Sequence, residues 1–203
     1  MNPAPQRSAG QIVRNLAIGI RVGTLIGVAW MAYGVSLLAP APRMLAGVIG
    51  IVIALVLSSR SRRLADVGAR MPPPSSEQRA AGRRVWILFW INFALELVLL
   101  NIAIRVLGAP QFHLYWIPAI SLIVGLHFLP MASFMKVPSY WFCGGAMMIA
   151  SVVFAVLLHL GIATPTLLLA IEALVNAALL WIVAAWGLRN AAALARQVGG
   201  ATR

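Results

Sequence analysis

Six apolar runs, each close to the length needed to cross a bilayer, limit what this chain can fold into. A crossing helix needs about 20 mostly apolar residues, within a range of about 17–25. Residues 16–38, 43–58, 85–106, 114–134, 140–160 and 166–187 meet or approach that length. The second run is short and borrows from its flanks. Turn chemistry separates the runs: APAPR at 39–43, GAPQ at 108–111, KVPS at 136–139 and GIATP at 161–165. These breaks are long enough only for tight connections between antiparallel neighbours. The expected fold is all-α, a polytopic integral membrane bundle of six transmembrane helices forming a single membrane domain over residues 1–203. Charged residues make up 10% of the chain, against about a quarter in soluble domains, which excludes a sizeable soluble domain.

One connection differs from the others. Residues 58–84, SSRSRRLADVGARMPPPSSEQRAAGRR, hold seven arginines around a Pro/Ser stretch at 72–76 that cannot continue a helix. The stretch 59–84 therefore reads as an arginine-rich loop, and Lys/Arg-rich connections are retained in the cytoplasm. Alternation then places Arg7, Arg14, Lys136, Arg189, Arg196 and Arg203 inside with it, and both termini in the cytoplasm. Only Arg43 and Arg105 fall towards the outside. The net charge of +12 is thus a matter of topology, and no nucleic-acid partner is expected. The loop is expected to meet anionic membrane-lipid headgroups or an acidic partner, at about 1 kcal/mol per basic residue, unless its arginines only set orientation. Arg7, Arg14 and Arg21 before an apolar stretch resemble the start of a signal peptide. However, 22–38 exceeds the usual core of about 7–15 residues, and Pro42 would follow the cut, so a retained first helix is expected.

Small residues mark packing faces. Gly19, Gly23 and Gly27 recur every fourth residue, Gly34 lies seven further on, and Ala46, Gly50 and Ala54 repeat the period in the second run. Such faces allow close helix approach. The first two helices are expected to meet through them, the other use of such a face being homo-oligomerisation.

The run WINFALELVLLNIAIR, residues 90–105, carries ionisable groups where insertion costs about 2.5–3.5 kcal/mol each. Glu96 and Arg105 are nine residues apart, roughly opposite on the helix and about 13.5 Å apart along it, so they do not pair within it. Asn92, one turn before Glu96, shares its face, while Asn101 and Arg105 form a second polar pair. Polar groups on two faces predict a central position for the third helix. Glu172 and Asn176 repeat the carboxylate–amide spacing in the last run, with the amide again on the cytoplasmic side. The two pairs are expected to face one another as a polar centre, with Arg21 or Arg105 as candidate ion-pair partners. Two close carboxylates in low dielectric do not both stay ionised easily. This is the minimum equipment for a proton-coupled transporter or channel, and it is equally the make-up of a structural hydrogen-bonded plug. A three-plus-three division into halves of opposite orientation, common in transporters, would put both glutamates in the third helix of their half.

GLHFLPMASF, residues 125–134, places His127 near a helix-loosening Pro130, and His127 is a candidate pH-sensitive gate. With the following KVPSYWFCGG (136–145), this stretch resembles a Gly-Leu-His-Phe-x-Pro segment of small bacterial multi-span membrane proteins. The resemblance covers about a tenth of the chain and implies no particular activity; the expected location is the bacterial inner membrane. His113 and His159 share the outer side, without the enclosing pattern that haem ligation needs. Cys143 stands alone, so neither a disulfide nor a thiolate cluster is expected. No nucleophile–base pattern, phosphate loop or zinc motif is present, and no enzyme, metal or cofactor is expected. Trp86, Trp90, Tyr115, Trp116, Tyr140, Trp141 and Trp186 fall near run ends, as in an aromatic belt. The leading expectation is a small transporter or channel working through Glu96, Asn92, Glu172 and Asn176. The alternative is a membrane scaffold or accessory subunit.

Overall fold

The structure is a computed structural model that describes residues 8–109 and 112–200. Arg7, Arg203 and the Pro110–Gln111 half of the GAPQ break lie outside the described residues. Six helices follow in chain order: α1 (Ala9–Ser36), α2 (Pro40–Arg70), α3 (Ser76–Leu107), α4 (Trp116–Met135), α5 (Ser139–Leu160) and α6 (Pro165–Gly200). A short 3₁₀ turn, His113–Tyr115, leads into α4. All six are long and apolar enough to cross a membrane, and no strand occurs among the described residues. The fold is that of a multi-pass helical membrane protein.

The helix ends are set by local chemistry. The Ser8 hydroxyl accepts from the Gln11 amide to start α1, and Pro40 opens α2 at a position where a missing N–H costs nothing. Ser75 and Gln78 close a reciprocal capping box on α3. Lys136 (φ 56) and Gly161 (φ 62) end α4 and α5 in the left-handed conformation. Arg43 acts locally, its guanidinium donating to the Ser36 and Leu38 carbonyls left over at the end of α1.

The arginine-rich connection departs from expectation. It is not a loop over 59–84, because α2 continues to Arg70 and α3 begins at Ser76, leaving only 71–75 irregular. Arginine is a good helix former, so the charges move the helix out of the hydrocarbon without breaking it, and only the prolines stop it. At 1.5 Å per residue α2 and α6 run about 46 and about 54 Å, well beyond the roughly 30 Å of hydrocarbon. The start of α1 docks on the α2 extension, the link after it and the start of α3, with Gly10 against Met71, Gly68 against Val13 and Arg14, and Gly82 against Gln11.

The core lies along α6, whose span is the most buried of the six. Ala170, Ala173, Ala177, Ala184 and Ala191 give it a smooth surface. α1 packs on it through Val13, Ala17, Ile20, Thr24, Gly27 and Gly34, a three-and-four spacing that aligns one stripe. Gly27 faces the indole of Trp181, and Gly34 faces the Ala170 carbonyl and Leu174. The glycine face expected to meet α2 is thus used mainly against α6. Gly23 has nothing near it, and Gly19 looks towards the Tyr140 hydroxyl. Gly50 of α2 does meet α1, through Met31, and also the Trp181 ring. α4 and α5 form the other tight pair, where Gly125 and Gly144 abut backbone to backbone. α3 packs chiefly on α4. Only Gly82 and Asn92 of its 32 residues are buried, so α3 lies on the flank and not at the centre. The reason is that Arg105 donates to Asn101 at 2.9 Å along α3's own exposed surface and asks nothing of a neighbouring helix. In space α6 packs chiefly on α1, and α3 on α4, so the last helix of each sequence half lies against the other half.

A Cβ on Gly144 would stand 2.5 Å from the Gly125 carbonyl oxygen, whereas one on Gly145 would meet nothing within 4 Å. Gly144→Ala is expected to destabilise the folded protein by about 1–3 kcal/mol. Gly145→Ala is expected to leave stability unchanged or raise it by up to about 1 kcal/mol. Equilibrium unfolding in bicelles measures both, and equal effects would contradict the α4–α5 contact.

Candidate functional site

Two clusters of polar groups in the spans lie against α4. On one face α3 brings Asn92 and Glu96, one turn apart, against His127. Asn92 Nδ2 lies 2.9 Å from His127 Nδ1 and donates to the His127 carbonyl at 3.0 Å. Glu96 Oε2 lies 3.2 Å from the same Nδ1, and the two side chains are only 12% and 10% exposed. Pro130 has no N–H to donate to the Leu126 carbonyl one turn earlier, which loosens α4 near His127. The Phe128 ring packs edge-on to the imidazole at 5.9 Å.

The other face meets α5 and α6. Ser121 is six residues before His127, which places it about 120° around α4 and about 9 Å along its axis. Its hydroxyl donates to Asn176 Oδ1 at 3.0 Å. Asn176 and Glu172 are both fully buried. Among the described residues, neither oxygen of Glu172, nor Asn176 Nδ2, has a hydrogen-bond partner. An ionised carboxylate without donors costs several kcal/mol in such surroundings. The Glu172 carboxyl must therefore find a proton, a cation or a donor whenever it carries charge.

The two carboxylate–amide pairs thus take different partners. Asn92 and Glu96 meet His127, while Asn176 meets Ser121, and α4 stands between α3 and the Ser121 face. The single four-group centre expected from the sequence does not form as one hydrogen-bonded cluster. The candidate cations do not reach a carboxylate either: Arg21 Nε lies 3.4 Å from the Ser61 hydroxyl, and Arg105 is held by Asn101. The pairing of Glu96 with His127, on the next helix, is the association that spacing within a helix did not disclose.

Ser121 and Ser151, both buried, were not singled out by sequence. Ser151 donates to the Pro118 carbonyl, tying α5 to α4. A lone serine in an apolar run is a signal for an interhelical hydrogen bond, though it does not tell which helix answers. Trp181 donates from its indole to the Thr24 carbonyl at 3.3 Å, and with Trp30 it lies in the core. Tyr140, expected in the aromatic belt, packs instead on Phe128 at 5.4 Å. Trp86, Trp90, Trp141 and Trp186 are exposed, as residues of an interfacial belt would be. Among the described residues no group of three His, Cys, Asp or Glu is placed to hold a metal.

Among the described residues, surface depressions away from these centres include two on the outside of the bundle. One, of about 530 Å³, runs between α4 and α5 past Tyr115, Pro118, Leu122, Ser151 and His159. The other, of about 570 Å³, lies along α6. Compared with known proteins, the chain matches no family model, no curated protein and no solved structure.

Because α3 leans on α4 alone for most of its packing, Asn92 is its principal polar anchor. Asn92→Ala is expected to cost about 1–3 kcal/mol, two interhelical hydrogen bonds being lost at once. Asn101→Ala, at the exposed pair, should cost under about 0.5 kcal/mol. Steric trapping in bicelles reads both, and a loss of similar size in the two variants would remove the anchor role.

Proposed function

We propose that this chain is a small transporter or channel of the bacterial inner membrane, driven by a proton held between Glu96 and His127. The supporting observation is the double approach to His127 Nδ1. A single ring nitrogen either accepts from the Asn92 amide or donates to the Glu96 carboxylate; it does not do both. With the proton on Glu96, Nδ1 is free to accept from Asn92, and α3 is bonded to α4 through both the ring and the His127 carbonyl. When the proton passes from Glu96 Oε2 to Nδ1, the imidazolium donates to the carboxylate. Asn92 then keeps only the carbonyl. The two proton positions thus ask for different seams between α3 and α4, and Pro130 gives α4 a pliable turn at that place. Ser121 on the other face of α4, the Asn176 it bonds on α6, and Glu172 one turn from that amide form the second polar station of the mechanism. Six membrane-length helices supply the setting.

A second reading is favoured by the interhelical bonds these groups already make, Asn92 to the His127 carbonyl and Ser121 to Asn176. In that reading the polar groups lock helices together and the chain is a non-transporting membrane subunit.

Reconstituted vesicles with an internal pH dye distinguish the two. The transporter reading expects wild-type protein to dissipate an imposed pH gradient and Glu96→Gln, folded to the same extent, to fall to the background of empty vesicles. Background rates for both proteins would leave the scaffold as the function.

A further inference from the structure

We infer that the outer face of α6 at the arginine-rich end holds an anionic phospholipid, its phosphate on Arg189 and Asn190 and its acyl chain along Ile182 and Ala185. The groove there is lined by Ile182, Ala185, Trp186, Arg189 and Asn190. Their spacing puts them on one side of the helix. Ile182 is 52% and Trp186 44% exposed, so among the described residues no other helix covers this face. Arg189 lies about 10.5 Å beyond Ile182 along the axis. The apolar part of the groove therefore points into the hydrocarbon and the cationic part out of it, the same order as chain and headgroup in a phospholipid. Trp186 sits at the boundary, where its amphipathic ring is favoured. Arg196, seven residues further on, lies on the same face as Arg189 and is also exposed.

Charge complementarity names the occupant. At the far end of the bundle the two arginines are occupied, Arg43 with leftover carbonyls and Arg105 with Asn101. At the near end Arg14, Arg60, Arg62, Arg63, Arg70, Arg79, Arg83, Arg84, Arg189 and Arg196 make no side-chain hydrogen bond or ion pair among the described residues. Only Asp66 and Glu77 are acidic there. This collar of unmatched cations concentrates anionic headgroups at the surface. The α6 face adds what the collar lacks, an open depression whose apolar part, at Ile182 and Ala185, runs on to a cationic end at Arg189. Zwitterionic lipid would bring its own cation against Arg189 and is disfavoured. The inference is independent of transport and stands equally for a scaffold.

The test uses the full chain in detergent, delipidated and titrated with phosphatidylglycerol or phosphatidylcholine, with retained lipid counted by native mass spectrometry. Wild type is expected to retain one phosphatidylglycerol in preference to phosphatidylcholine. Arg189→Gln should weaken that retention about fivefold, the factor given by about 1 kcal/mol per basic residue, while Arg79→Gln, in the collar but off the groove, should change it less. Equal retention of the two lipids would overturn the inference. So would an Arg189→Gln loss no greater than that of Arg79→Gln, full displacement by inorganic phosphate, or a second copy of the chain occupying the face.

Discussion

Hydrocarbon offers no hydrogen bonds, so each polar side chain that enters it must be met by another part of the protein. In this fold α4 does most of the meeting. It offers His127 to α3, Ser121 to α6, and the Pro118 carbonyl and Gly125 backbone to α5. These contacts lie on different sides of one 20-residue helix. That explains how a bundle whose sheer bulk is organised around α6 can have its polar chemistry organised around α4. It also explains why α3, otherwise surrounded by its own exposed apolar side chains, stays attached: Asn92 and Glu96 both find their polar partner in His127.

The two ends of the bundle are chemically unlike. At one end, isolated arginines cap backbone carbonyls or pair along their own helix. At the other, helices project from the membrane carrying arginines that nothing among the described residues neutralises. A helix that leaves the bilayer keeps its backbone satisfied whatever its side chains do, and arginine favours it. Charge therefore lengthens α2, α3 and α6 instead of ending them. The short irregular link at 71–75 exists because three successive prolines cannot supply the N–H groups a helix needs.

Much of the architecture was legible in the residues. Six runs, their breaks and the concentration of arginine at one side follow from length and solvation alone, and the structure has six helices at those places. Partners were less legible. The Gly19–Gly23–Gly27 period marks a face, but period alone does not say what lies against it. Gly27 meets Trp181 while Gly23 meets nothing, because the neighbour is set by tertiary packing. Asn101 and Arg105 suggested a buried second face on α3, yet two polar groups four residues apart can satisfy each other at a surface. The carboxylate–amide repeat in α3 and α6 was equally visible, and its symmetry was misleading. A single histidine on α4 answers one pair, while a single serine answers only the amide of the other and leaves Glu172 unmet among the described residues. Gly144, next to Gly145 in the chain, shows the same limit, since identical residues one position apart differ wholly in what they touch.

The proposed function turns on one proton placed between Glu96 and His127 across the α3–α4 seam, where Glu96 Oε2 lies 3.2 Å from His127 Nδ1. Nitrogen-15 NMR of the imidazole rings in lipid bilayers observes that proton directly, with His127 assigned by its absence in His127→Asn. The predicted result is a His127 Nδ1 resonance that moves when Glu96→Gln removes the ionisable partner, while the signals of His113 and His159 stay in place. A His127 spectrum identical in the two proteins would contradict it.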